Sequence, residues 1–254
     1  RRFTNSGTLT VSAGNLNVYG NLSNLSGSTF NQSGGAITID GNAGGNAANS
    51  VTSGNCLLNF ASQLVSLTGG TITIVDPHAN TISTASVYMT NSTAVTSTLT
   101  TPSAHTIIFG NGTSTDAGGV TGGFIVNNWV STTYLSFGNV VVNGPAGGTN
   151  RSVTSVYQFT ANGNVTVNNG GVFSPGSLIL GGDLTVNTGG TLTMTGGIQT
   201  GGVTSNTGSN LTIAPITIAQ SIGGSGTYQN LATSPTASLT SMYIDNASTT
   251  GVTL

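Results

Sequence analysis

The sequence predicts an all-β fold, a parallel, right-handed β-helix or solenoid. Three observations lead there: a composition poor in helix formers, a short strand cassette that recurs along the chain, and the regular spacing of those cassettes. Gly, Thr, Ser and Asn supply 141 of the 254 residues. These residue types favour turns and strands over helix interiors. Charged residues are 3% of the chain, with Arg the sole cation type, Asp the sole anion type, and no Lys or Glu. A helical or α/β domain would carry about 25% charged residues.

The cassette is Gly or Asn, then apolar-Thr-apolar, then Asn or Gly. It occurs as Leu9-Thr10-Val11, Ile37-Thr38-Ile39, Ile72-Thr73-Ile74, Val165-Thr166-Val167, Leu184-Thr185-Val186, Leu192-Thr193-Met194, Leu211-Thr212-Ile213 and Ile216-Thr217-Ile218. Two apolar side chains on one face and Thr on the other make a half-buried strand. The Gly and Asn pairs between cassettes supply the positive φ angles that corners require.

Spacing selects the architecture. Leu9 and Leu16 lie 7 residues apart, and Leu184 and Leu192 lie 8 apart, about one strand plus one corner. Val165 to Leu184 and Leu192 to Leu211 are both 19, close to one full coil. Ile37 to Ile72 and Ile72 to Ile107 are both 35, either one coil with an insertion or two coils. Stacked coils would align the inward Leu, Ile and Val in columns. At ~20–25 residues per coil the chain forms roughly ten to twelve coils, a rod of about 50 Å. Residues 1–254 read as a single solenoid segment, irregular and aromatic-rich through 109–160. A β-sandwich array is the rival, disfavoured because the cassettes are near-identical and their turns are dominated by Gly and Asn.

Other classes fall away on the same counts. Val, Ile, Leu and Phe total 62 residues, about 24%, above the roughly 20% below which chains tend to stay disordered. With three cations and a net charge of -2 the chain is not expected to bind nucleic acid. No run approaches the ~18 apolar residues of a membrane helix, so membrane insertion is not expected either. The chain begins at Arg1-Arg2-Phe3 and ends within the cassette Gly251-Val252-Thr253-Leu254, with no polar cap at either end. A segment of a longer repetitive polypeptide, its end coils uncapped, is therefore expected.

Two stretches carry a resemblance: Gly181-Gly182-Asp183-Leu184-Thr185-Val186-Asn187-Thr188-Gly189-Gly190-Thr191-Leu192-Thr193-Met194, and Asn246-Ala247-Ser248-Thr249-Thr250-Gly251-Val252-Thr253-Leu254. They resemble the repeats of very large Bacteroidota cell-surface proteins, the gliding-adhesin type exported by the type IX secretion system. Autotransporter passengers use similar Gly-Thr-Leu cassettes. The resemblance implies an extracellular, cell-surface-attached protein with an adhesive or filamentous structural role. Its implied partners are the continuation of the same chain or identical neighbours, with surface glycans or other cells as targets.

The search for chemistry returns little, and no catalytic, cofactor or metal residues are assigned. A glycan-cleaving β-helix needs clustered carboxylates or a base supported by cations. Asp40, Asp76, Asp116, Asp183 and Asp245 are separated by at least 36 residues, and Arg151 is the one cation away from the N-terminus. Coil stacking could still juxtapose two of the Asp. Asp76-Pro77-His78 reads as a corner turn rather than an acid–base pair or half a metal site. His105 reads as a residue opening a strand, and Cys56 as a small buried hydrophobe. Single Asp residues, Asp40 before Gly41 among them, do not match calcium repeats, which need several carboxylates at fixed offsets.

Aromatics are uneven: 7 of 15 fall between Phe109 and Phe159. They read chiefly as filling for a widened coil. The alternative is a sugar-stacking platform with Trp129 and Tyr134 as glycan contacts. That alternative would make the chain a carbohydrate-binding or carbohydrate-processing β-helix rather than a non-catalytic stalk. Thr-x-Thr pairs raise an ice-binding array, which the uneven cassette spacing argues against. So little charge should also leave the rod insensitive to pH and ionic strength.

Overall fold

Successive turns of the chain place one strand on each of three faces, and each face is a parallel sheet. The computed structural model describes residues 2–40, 58–60, 64–75, 87–89, 104–112, 123–127, 129–130, 133–134, 136–144, 151–155, 158–194, 198–200, 204–206, 210–213, 220–224, 228–230, 236–239, 242–246 and 252–253. Side chains are described as far as Thr193, except at residues 2, 87–89, 127–134 and 151; beyond that only backbone pairing is described.

The first face stacks ten strands: Arg2–Asn5, Asn21–Asn24, Leu58–Phe60, Val87–Met89, Phe124–Asn127, Arg151–Ser155, Gly171–Ser174, Thr191–Met194, Asn210–Ile213 and Thr236–Leu239. The second begins with Thr8–Val11, and from Ser136–Phe137 it continues as a six-stranded sheet to Met242–Asn246. The third runs from Asn15–Val18 to Val252–Thr253. All pairs within these three faces are parallel, the arrangement expected of a β-helix, and ten coils follow one another among the described residues. In the second and third coils a single strand, Thr29–Ile39 or Leu64–Ile74, bends at a Gly pair and serves two faces.

The registers test the spacing arguments one by one. Val165 pairs with Leu184 and Leu192 with Leu211, so 19 residues make one coil there. Leu9 pairs with Phe30 and Leu16 with Ile37, so the strands Thr8–Val11 and Asn15–Val18 occupy successive faces of one coil. Ile37 pairs with Ile72 and Ile72 with Ile107, so each 35-residue interval is one coil with an insertion, not two. These long coils bring the total to ten, the low end of the expected range.

Two uninterrupted columns follow from those registers. Ile37, Ile72, Ile107, Val140, Val165 and Leu184 form one; Ile39, Ile74, Phe109, Val142, Val167 and Val186 form the other. All twelve are buried, the most exposed at 2%. Burying each apolar side chain contributes on the order of 2 kcal/mol, and the contribution depends on the coil above and below being in place.

The stretch 109–160 keeps this pattern in Phe124–Asn127, Ser136–Phe137, Asn139–Val142 and Arg151–Ser155 and departs from it at Trp129–Val130 and Thr133–Tyr134, which pair antiparallel outside the three faces. Phe109, Phe124, Phe137 and Phe159 are all buried, as the core-filling reading expects. Phe137 and Phe159 stack with centroids 5.0 Å apart, and Phe159 meets Phe173 edge-on at 5.0 Å. Such pairs add about 1 kcal/mol beyond the area they bury. On the outer side of the third face, Thr38, Thr73, Ile108, Val141, Thr166 and Thr185 follow in register. Rungs lie about 4.8 Å apart whatever the loop between them, so uneven cassette spacing does not roughen this face. Ile108 and Val141 interrupt the Thr row instead.

Candidate functional site

Among the described residues, the polar side chains that the fold brings together lie mainly at the corners between faces. At the corner after the third face, Asn187 Nδ2 donates to Asn168 Oδ1 at 2.7 Å, and Asn168 Nδ2 donates to Asn143 Oδ1 at 2.7 Å. Asn143 Nδ2 closes the ladder on Gly110 O at 2.9 Å. Each Asn follows the last apolar residue of a cassette (Val142, Val167, Val186), so the coil repeat places equal amides one rung apart. The Asn168 and Asn187 turns are closed by Gly171 N donating to Asn168 O and Gly190 N to Asn187 O. Gly170 and Gly189 sit in these turns at φ 71 and 79, which is why Gly follows here.

A second set lies one strand earlier. Asn164 N donates to Asn139 Oδ1 at 2.9 Å, and Asp183 N donates to Asn164 Oδ1 at 2.8 Å. Asp183 is thus one step of a backbone-capping series on an exposed corner, its backbone N–H satisfied by the Asn164 amide oxygen. Replacing Asn168 by Ala is expected to cost about 2 kcal/mol, since it leaves Asn143 and Asn187 each short of a partner. Asn168→Asp should cost nearly as much, because a carboxylate cannot donate to Asn143 Oδ1. Amide exchange across 139–190 reads both.

The third cluster crosses three coils. Gln32, fully buried, donates from Nε2 to Thr71 O at 2.9 Å, and its Oε1 lies 3.2 Å from His105 Nε2. The amide orientation is fixed by the Thr71 carbonyl, so Oε1 faces the ring and His105 Nε2 must carry the proton. His105 Nδ1 then presents a bare lone pair, and it has no hydrogen-bond partner among the described residues. His105 is 1% exposed, and burial pushes its imidazole down from 6.5 to about 4. His105 does open a strand, His105–Phe109, as its sequence context suggested. The sequence signal missed its inward direction, which follows from alternation with Ile107 and Phe109.

At the start of the chain, Asn24 Oδ1 accepts from Asn5 Nδ2 at 2.6 Å and from Ser28 Oγ at 2.7 Å, while Asn24 Nδ2 is buried and unpaired. Trp129 and Tyr134 are direct partners in a two-stranded antiparallel pair that is separate from the three faces. Asp40 closes the third face of its coil, its backbone N donating to Val18 O at 2.9 Å. Cys56, Asp76, His78, Asp116 and Tyr157 lie outside the described residues, as do the side chains of Trp129, Tyr134, Asp245 and Arg151. Among the described residues no three His, Cys, Asp or Glu gather closely enough to hold a metal ion. The chain matches no protein-family model, no curated protein and no solved structure.

Proposed function

We propose that this chain is a structural stalk or filament segment of an extracellular bacterial surface adhesin, non-catalytic, of the type IX-exported, gliding-adhesin kind. The observation that supports it most is the continuity of the stack. Among the described residues, two buried columns run unbroken through six successive coils, and the Asn ladder runs from Gly110 to Asn187. In such a solenoid each coil is held by its neighbours, so added coils extend reach without a new core. A wall of Thr, Asn and Ser with almost no charge suits lateral association of such rods, since low net charge favours contact. Antibodies raised against the chain are expected to label intact cells that produce it, and external protease to remove the label. Labelling only after permeabilisation would overturn the reading.

A second reading, a carbohydrate-binding surface, is favoured by one observation: the register that sets Trp129 directly opposite Tyr134. Two aromatic residues at directly paired backbone positions are the residue types on which a sugar ring stacks. Under this reading Trp129→Ala abolishes retention of the protein on an immobilised polysaccharide. Equal retention of the variant and the parent removes it.

A further inference from the structure

We propose that Gln32 and His105 form an acid-release latch that clamps the second, third and fourth coils at neutral pH and opens them in mild acid. The latch depends on a gap in the stack. His105 pairs in register with Gly70, which has no side chain, so Gln32 from the coil below reaches across the glycine to the ring. Gln32 also bonds Thr71 O of the intervening coil, so one amide ties three coils together.

Protonation undoes this arrangement for a geometric reason. The second proton must go to Nδ1, where no acceptor lies, in a site from which water is excluded. A buried imidazolium whose new N–H has no acceptor is strongly disfavoured. No titratable residue occurs in the strands packed around it, Thr29–Ile39, Leu64–Ile74, Ser136–Phe137 and Asn139–Val142, so none of them carries a carboxylate to pair with the cation. Asp40 stands beyond the far end of the first of these strands, next to Ile39.

The sign follows from the depressed value. His105 is neutral in the folded state down to about pH 4, whereas in an opened state it takes up its proton near 6.5. Its contribution is therefore fully present above about 6.5 and lost as pH falls toward 4. The chain contains one other His and few carboxylates, so the acid response concentrates at this place. Because coils are coupled mainly to their neighbours, release stays local.

Hydrogen exchange of the whole chain, corrected for intrinsic rates, tests the latch at pH 7 and pH 4.5. Opening in Thr29–Ile39, Leu64–Ile74 and His105–Phe109 is expected to rise tenfold or more in acid, while Val165–Val167 and Leu184–Val186 change little. His105→Gln, which stays neutral, is expected to exchange alike at the two pH values. A second variant, Gln32→Leu, keeps the buried ring but removes the tie, so its coils should already exchange faster at pH 7. Acid-enhanced exchange that persists in His105→Gln, or that is uniform along the chain, would overturn the proposal.

Discussion

Replacing Phe159 by Ala is expected to cost about 4 kcal/mol, the largest effect of any single side-chain truncation in the described core. Phe159 is fully buried and touches aromatic rings on both sides, stacked on Phe137 and edge-on to Phe173. Its strand, Phe159–Ala161, pairs with Ser136–Phe137 below and Leu178–Leu180 above, so a cavity here loosens three coils at once. In a solenoid such a loss shows as local opening before global unfolding. Amide exchange of 136–180 should therefore accelerate by orders of magnitude, while Ile37 and Ile72 keep their protection. Uniform acceleration across the chain would mean that the coils do not act as separate units.

Gly70→Ala is expected to cost about 3 to 4 kcal/mol, for a backbone reason. Gly70 has φ 81, and a Cβ there would lie 2.6 Å from Gly34 O and 2.7 Å from both Gly34 C and Gly35 O. Those atoms belong to the coil below and cannot turn aside as a flexible side chain would. Gly112 is the control: its φ is 75, but a Cβ would meet nothing within 4 Å, so Gly112→Ala should cost only about 1 kcal/mol. Thermal melts of the two variants separate the strain of the dihedral from the close approach of the coils.

The coil repeat was legible because the inward positions repeat in kind. Val165 and Leu184, or Leu192 and Leu211, stand one coil apart and pair in register. The long coils were harder: Ile72 and Ile107 are 35 apart, and composition alone does not say whether an insertion or a second coil lies between them. Strand pairing answers that, because Thr71 to Ile74 meet Thr106 to Phe109 directly. The ladder residues Asn143, Asn168 and Asn187 stood in the sequence as turn formers, and turn propensity gave no reason to look for amide bonds between coils. Their ladder is a consequence of register, not of local preference.

His105 marks the limit of sequence reading most clearly. Its local context offers no partner, and Gln32 lies 73 residues away. The two meet only because the coils stack in register and the one coil between them presents a glycine, Gly70, opposite His105. The expectation of a pH-insensitive rod followed from counting charges, and charge counting does not register a buried neutral imidazole. One such group contributes about 3 kcal/mol between neutral pH and pH 4.

Pulling the chain between residues near Arg2 and Thr253 shows whether its coils resist tension as a stack, as a stalk requires. At about 3.5 Å per extended residue, coils of 19 to 35 residues release on the order of 6 to 12 nm each. A series of such steps is expected, with the earliest moved to lower force by Phe159→Ala or Gly70→Ala. A single release of the whole chain in one event, unchanged by either substitution, would contradict it.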